Sequence, residues 1–314
     1  MASLSDNGTT AFAAAARGRV LLTGVRGFTG RYLKAELEAA GYHVIGTVIG
    51  DAADAEIGLD ITSLDACRQA LEQVRPDYVV HLAAISFVQH ESAEAFYRVN
   101  VVGTTNLLQA LIDTKLAPRC VAIASSANIY GNTAGVLSES QAPQPVNHYA
   151  ASKLAMEHMA RTYADRLPIV LTRPFNYTGV NQDERFLVPK IVSHFAAGKK
   201  VIELGNLDVE RDFSDVRVVA RTYRALLENA CAGETVNICS GQPHSLRAII
   251  AMVQEIAGYE IDVRVNPNFV RASEVKTLVG SAGKLRSLIG EYAPIPLSHT
   301  LDWMYRAGLP QLNA

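Results

Sequence analysis

RVLLTGVRGFTGRYLKAELEAAG, residues 19–41, passes from an apolar run through three glycines into a helical repeat of apolar and charged residues. Arg19–Thr23 reads as a strand, Gly24, Gly27 and Gly30 as a GxxGxxG turn, and the remainder as a helix. The alternation then repeats. HVIGTVI (43–49) is a second strand, SLDACRQALEQV (63–74) an amphipathic helix, and DYVVHLAA (77–84) a third strand. A long helix is expected around 91–114, a strand over RCVAIAS (119–125), a helix over about 147–166 and a strand over PIVLTR (168–173). Strands this uniformly apolar, separated by helices, belong to an α/β chain with a doubly wound parallel sheet covered on both faces.

Beyond Pro174 the rhythm changes. Short helical pieces (VPKIVSHFAAG, VRVVARTYRALLENA) mix with short strands (KVIEL, TVNICS), and 246–257 and 297–306 read as further helices. The expected organisation is a flexible tail over 1–18, a dinucleotide-binding domain over 19–173, and a smaller mixed α/β C-terminal region over 174–314 that serves mainly the substrate. A cleft between the last two falls at the carboxyl ends of the strands, where open α/β sheets bind ligands.

The 314 residues carry 29 Lys and Arg against 31 Asp and Glu, a net charge of −2. With no basic cluster there is no electrostatic footprint for a nucleic-acid backbone or an anionic membrane, so an anionic ligand must be held by local groups. No apolar run approaches the ~18 residues of a membrane span. The Ala-rich start lacks the basic and Leu-rich regions of a secretory signal. Cys67, Cys120, Cys231 and Cys239 show neither CxxC spacing nor the density of a disulfide framework, which fits free thiols in a reducing cytoplasm.

A glycine loop after the first strand and before a helix admits a pyrophosphate close to the backbone, and the helix N-terminus offers unpaired N–H donors. In this context it reads as a Rossmann dinucleotide site, with Gly24, Arg26, Gly27, Phe28, Thr29 and Gly30 as candidate contacts. A carboxylate ending the second strand would bond the adenosine ribose, but that strand ends Thr47-Val48-Ile49-Gly50, with Asp51 just beyond. Arg26 either pairs with a 2′-phosphate or is an exposed loop arginine. NADP(H) is accordingly favoured over NAD(H). Asp60, followed by Ile61, either meets the adenine amine or caps a turn. Leu82, Ala83 and Ala84 let a cofactor lie against the strand end, and His81 reads as a packed core histidine.

Tyr149 and Lys153 stand four residues apart on one helix face. A nearby ammonium favours the phenolate and brings proton exchange closer to neutral pH. Ser126, in SSANIYG (125–131), ends the preceding strand and is placed to hydrogen-bond a substrate oxygen as charge develops on it. With the TGxxGxxG loop, the Asp60-Ile61 pair, the HLAA strand end and RPFN (173–176), these residues resemble the ordered motifs of the extended short-chain dehydrogenase/reductases, a family of nucleotide-sugar epimerases, dehydratases and reductases. The resemblance runs from about residue 19 to the C-terminus. It implies that Tyr149 is the acid/base, that Lys153 also bonds the nicotinamide ribose, and that Asn176 helps hold a substrate diphosphate.

GNLDVERDFSDV (205–216), VNICSGQ (236–242) and VRASEVKTLVGSAGKL (270–285) resemble the branch containing GDP-mannose 4,6-dehydratases and GDP-4-keto-6-deoxymannose reductases. On that resemblance Arg211 and Arg271 neutralise the diphosphate and Glu274 accepts from the ribose. For each arginine a surface salt bridge is the other reading. Dehydration needs a carboxylate acid/base, which family dehydratases carry two residues after the counterpart of Ser126. Here that position is Asn128, an amide without acid/base capacity near neutral pH, and 114–138 contain no Asp or Glu. The expectation is therefore reduction of the C4 ketone of a GDP-linked 4-keto-6-deoxy sugar, to a product such as GDP-rhamnose. A dehydratase, a 4-epimerase and a non-enzymatic NADP-sensing protein are the alternatives.

Ser86 either touches the sugar or caps a helix. Lys190 approaches the nucleotide or faces solvent. Glu139 meets substrate or is a solvated loop carboxylate. His148 and His158 lack ligand-spaced partners, and no metal is expected. Family members pair the helices around 91–114 and 147–166, with apolar residues such as Val101, Leu107, Leu108, Leu154, Met156 and Met159 here, into an intersubunit bundle. A homodimer is the expectation.

Overall fold

The computed structural model describes residues 17–87, 92–269 and 276–309. β1 (Arg19–Thr23) leads into α1 (Phe28–Ala39), β2 (His43–Val48), the short β3 (Glu56–Gly58), α2 (Leu64–Val74) and β4 (Tyr78–His81). Next come α3 (Ala93–Phe96), a π-helical stretch (Tyr97–Gly103), α4 (Thr104–Asp113), β5 (Cys120–Ala124), a 3₁₀ turn (Ala127–Tyr130), β6 (Val136–Leu137), α5 (His148–Arg161) and β7 (Ile169–Pro174). β8 (Asn176–Thr178), α6 (Leu187–Ala196), β9 (Val201–Leu204), β10 (Glu210–Asp215), α7 (Val216–Glu228) and β11 (Thr235–Ile238) follow. The chain closes with β12 (Pro243–Ser245), α8 (Leu246–Ala257), β13 (Asp262–Val265), β14 (Thr277–Gly280), α9 (Gly283–Ile289) and α10 (Leu297–Gly308).

Seven strands form one all-parallel sheet in the order β11-β7-β5-β4-β1-β2-β3. Strand alternation sends Val20 and Leu22 to one face, against Leu33 and Leu37 of α1 and Tyr223 and Leu226 of α7. Leu21 goes to the other face, with Leu71, Leu107, Leu111 and Met156. Both faces are covered, which is why β1 has no polar side. Each such leucine contributes about 1.5–3 kcal/mol of burial. The winding direction reverses between β1 and β4, and that switch point is where a crevice opens at the carboxyl ends of the strands.

The sheet takes its seventh strand, β11, and the covering helix α7 from beyond residue 174. The rest of that region, with β6 contributed from before residue 174, builds a second sheet, β12-β10-β14-β6 with β8 on β10, and a parallel pair of β9 and β13. α6, α8 and α10 enclose a separate core around Ile191, Phe195, Ile249, Val253 and Leu301.

Three expectations change. The helix around 91–114 is interrupted by the π-helical stretch, whose wider turn directs Asn100 inward. The helix over 147–166 ends at Arg161. Of the tail, 1–16 lie outside the described residues, while Arg17 pairs with Glu228 at 2.7 Å and the Gly18 carbonyl accepts from His43 N–H at 3.0 Å.

Candidate active site

The glycine loop is shaped by close backbone approach. Gly24 has φ +73°, and a Cβ there would lie 3.0 Å from the Ala83 nitrogen. A Cβ on Gly30 would overlap the Gly24 carbonyl oxygen and stand 2.7 Å from that of Val25. No side chain caps the first turn of α1, as none caps α6, α9 or α10. Because α1 opens directly from the glycine loop, its first-turn N–H groups are available there to an acceptor such as a pyrophosphate. The residues fit a dinucleotide.

A directional hydrogen-bond chain fixes the facing strand end. Thr23 Oγ1 accepts from Leu82 N–H (3.1 Å) and Ala83 N–H (3.0 Å), so its own proton goes to His81 Nδ1 at 2.7 Å. His81 then donates from Nε2 to Thr104 Oγ1 at 2.9 Å, and Thr104 donates to the Asn100 carbonyl at 2.7 Å. Burial holds His81 down at about 3, so it is the neutral core histidine expected. Asn100 continues the chain, accepting from Ile85 N–H (2.9 Å) and donating to Ser152 Oγ (3.0 Å), which donates to the Tyr149 carbonyl (2.8 Å). The π-helical turn thereby ties the 82–86 loop to the helix bearing Tyr149.

Ser126, Tyr149 and Lys153 come together at the ends of β5 and α5, each under a tenth exposed. Burial pushes Tyr149 up to about 12, with the nearby Ser126 hydroxyl acting the other way, and pushes Lys153 down to about 8. The expectation that Lys153 lowers Tyr149 is thereby corrected. Lys153 Nζ donates instead to the Ala124 carbonyl at 2.7 Å, and removal from water dominates both groups.

Other candidates separate. Asn128 is the second residue of the 3₁₀ turn, its N–H donating to Ser126 Oγ at 3.2 Å. Asp60 accepts from Thr62 N–H (2.9 Å) and Oγ1 (2.8 Å), which lower it below the usual carboxylate range, while Ile61 is buried under the Gly103 turn. Asn176 donates to the Asp212 carbonyl at 3.4 Å. Arg211 donates to the carbonyls of Glu210 (2.9 Å) and Lys276 (3.1 Å). Lys190 donates to the Glu203 carbonyl at 2.8 Å and lies 4.5 Å over the Phe269 ring. Ser86 is exposed, beside the partly buried Phe87 that Arg185 covers at 4.9 Å. Arg271 and Glu274 lie outside the described residues. Glu139 is partly buried and accepts from Asn237 N–H at 2.8 Å, which occupies a backbone donor on the edge strand β11.

Sequence reasoning missed Glu56, which pairs with Arg26, and Tyr177. The Tyr177 ring stacks on Phe28 at 6.0 Å, and its hydroxyl meets Thr29 Oγ1 at 2.7 Å. It also missed the buried Glu157. The RPFN motif pointed near Tyr177, but nothing in spacing linked residue 177 to residue 28. Among the described residues no three His, Cys, Asp or Glu side chains gather as metal ligands, and no helix is long and apolar enough to cross a membrane.

The model of the NAD dependent epimerase/dehydratase family matches residues 20–239. The chain belongs to that family. This epimerase/dehydratase family member is an NAD(P)-dependent oxidoreductase of the extended short-chain type. It is 37% identical over 302 residues to a GDP-6-deoxy-D-talose 4-dehydrogenase from Aggregatibacter actinomycetemcomitans, covering 94% of this chain and 99% of that one. A GDP-6-deoxy-D-mannose reductase from Pseudomonas aeruginosa is 31% identical over 309 residues, covering 92% and 98%. The structure of RMD from Pseudomonas aeruginosa complexed with NADPH superposes with a TM-score of 0.83 at 29% identity, covering 93% and 98%. Other solved neighbours hold NAD.

Proposed function

We propose that this epimerase/dehydratase family member reduces the C4 ketone of a GDP-4-keto-6-deoxyhexose with NADPH, giving a GDP-6-deoxyhexose of the rhamnose type. The observation that carries this reading is the Ser126–Tyr149 hydroxyl pair beside Lys153, with an amide at Asn128 where an elimination needs a carboxylate. The talose dehydrogenase and the mannose reductase similar to this chain both bear names for redox chemistry on GDP-6-deoxyhexoses.

A bound nicotinamide supplies the hydride. Tyr149 gives its Oη proton to the C4 oxygen as charge develops there, and Ser126 donates a hydrogen bond to the same oxygen. A phenol raised to about 12 is fully protonated near neutral pH and ready as the acid. Lys153 holds the nicotinamide ribose and keeps positive charge beside the forming oxyanion. The glycine loop with Phe28 and Thr29 holds the pyrophosphate, Arg26 takes the 2′-phosphate, and Asp60, Ile61 and Leu82–Ala84 border the adenosine and nicotinamide. Ser86, Asn128, Asn176, Lys190 and Arg211, with Arg271 and Glu274, serve the nucleotide sugar.

Residues 19–173, joined by α7 and β11, form the cofactor domain, and the rest of 174–314 mainly the substrate region. Four buried thiols fit a reducing cytoplasm, where we place the enzyme. A homodimer through α3–α4 and α5 is supported by exposed Tyr97, Val102 and Met159. Leu107, Leu108 and Met156 instead serve the chain's own core.

The test is NADPH oxidation on adding GDP-4-keto-6-deoxymannose, with NADH in parallel and the product identified by NMR. Consumption with a rhamnose-type product is expected, and a talose-type product corrects the stereochemistry alone. No consumption, with GDP-mannose converted to a keto sugar, establishes a dehydratase. Interconversion of C4 epimers without net cofactor oxidation establishes an epimerase, and NADPH binding without turnover a sensing protein.

A further inference from the structure

The sequence lacks a carboxylate at the end of β2, yet the fold brings one beside that strand: Glu56, the first residue of β3, stands next to Gly46, two residues before β2 ends. Gly46 of β2 has no side chain, and a Cβ there would stand 2.8 Å from Val25 Cβ. The glycine loop therefore closes onto β2. Arg26, the next residue, reaches across to β3, where its Nε and NH2 meet Glu56 Oε1 and Oε2 at 3.2 and 2.5 Å. Its NH2 also donates to the Asp51 carbonyl at 2.9 Å. Glu56 is held from behind by Ala53 N–H at 3.1 Å. The carboxylate is 11% exposed and the guanidinium side chain 52%, so the acid is seated and the cation is the partner free to turn. Lys34 of α1 adds a weaker positive influence on Glu56.

This pair bridges the glycine loop to the start of β3 and to the loop after β2, the neighbourhood in which doubly wound folds place the adenosine ribose. We propose that Glu56 is a specificity-determining residue that restrains the preference for NADP(H). A 2′-phosphate gains Arg26 only by taking it from Glu56, and then lies beside a carboxylate. A 2′-hydroxyl leaves the ion pair intact and finds in Glu56 an acceptor. The site accordingly accepts both cofactors, and the Arg26–Glu56 exchange sets their ratio. This rests on the proposal that the chain binds a nicotinamide dinucleotide at its glycine loop.

The experiment is equilibrium binding of NADPH and NADH, followed by fluorescence, to the wild-type protein and to the Glu56→Gln, Arg26→Ala and doubly substituted variants. Glu56→Gln is expected to raise the NADPH-to-NADH affinity ratio about fivefold, the scale of a surface ion pair. Arg26→Ala is expected to lower that ratio below the wild-type value and, in the double variant, to reduce the gain from Glu56→Gln. Raising ionic strength should shrink the Glu56→Gln effect. An unchanged ratio in Glu56→Gln, with both cofactors still bound, overturns the proposal alone. A wild-type protein that binds neither cofactor overturns the underlying reading and this proposal with it.

Discussion

Glu157 and Arg173 form a two-pronged ion pair, Nε to Oε1 at 2.9 Å and NH2 to Oε2 at 2.7 Å, with side chains 0% and 5% exposed. Arg173 also donates to Tyr130 Oη (2.9 Å), and Tyr130 donates to Asn237 Oδ1 (2.8 Å). One buried network thus joins α5, which bears Tyr149 and Lys153, to β7, to the 3₁₀ turn after Ser126, and to β11. Replacing Glu157 by Gln strands a buried guanidinium and should cost about 3–5 kcal/mol. Chemical denaturation checks this, and a loss below about 1 kcal/mol, the scale of an exposed pair, would show that the network is dispensable.

Glu157 stands one turn beyond Lys153, and its charge favours the ammonium that burial disfavours. With Lys153 at about 8, activity that needs its positive charge should fall as pH rises through 8. Glu157→Gln should move that alkaline limb to lower pH. A pH profile of kcat in the two proteins decides it; a limb that does not move would separate Glu157 from Lys153.

Tyr149→Phe removes the proposed proton donor and keeps the ring packed near Phe96 at 6.0 Å between centroids. Turnover should drop by about 10²–10⁴-fold while the NADPH dissociation constant changes little. Near-normal activity would assign the proton to another group.

Gly30→Ala forces a methyl group into the Gly24 and Val25 carbonyls, all of them backbone and unable to turn aside. The variant should lose cofactor binding, whether or not it keeps a native circular dichroism spectrum. Wild-type NADPH affinity in Gly30→Ala would mean that the loop opens at little cost.

His81 sets an acid limit. Its folded value of about 3 lies below the unfolded 6.5, so below pH 6.5 the unfolded chain takes up the proton first. Stability is fully present above pH 6.5 and declines as pH falls toward 3, by about 2 kcal/mol at pH 5 from this residue. NMR should find the His81 ring neutral at pH 5 in the folded protein. A protonated ring in the folded protein at that pH would contradict a His81 that accepts from Thr23 and donates to Thr104.

Local chemistry carried much of this in the sequence itself. The strand, glycine turn and helix of 19–41 are each defined within a few residues, so β1 and α1 formed as read. Tyr149 and Lys153 share a face because helical spacing is local, and Asn128 can be read against Ser126 two positions away. The interruption at Tyr97–Gly103 could not be read this way. It goes with long-range contacts: Asn100 bonds Ile85 and Ser152, and Ile61 fills the space a side chain on Gly103 would need.

By itself the sequence determined the alternation of strands and helices, the glycine loop, and which residue types stand at the proposed chemistry, because each depends on periodicity or on neighbours within one turn. Only the tertiary structure decided that β11 and α7 return to the cofactor sheet, that Glu139 bonds its edge strand, that Glu56 faces Arg26, and that burial rather than Lys153 governs the Tyr149 proton. Those outcomes depend on groups separated by tens of residues, whose approach and loss of water are set when the strands pair and the core closes.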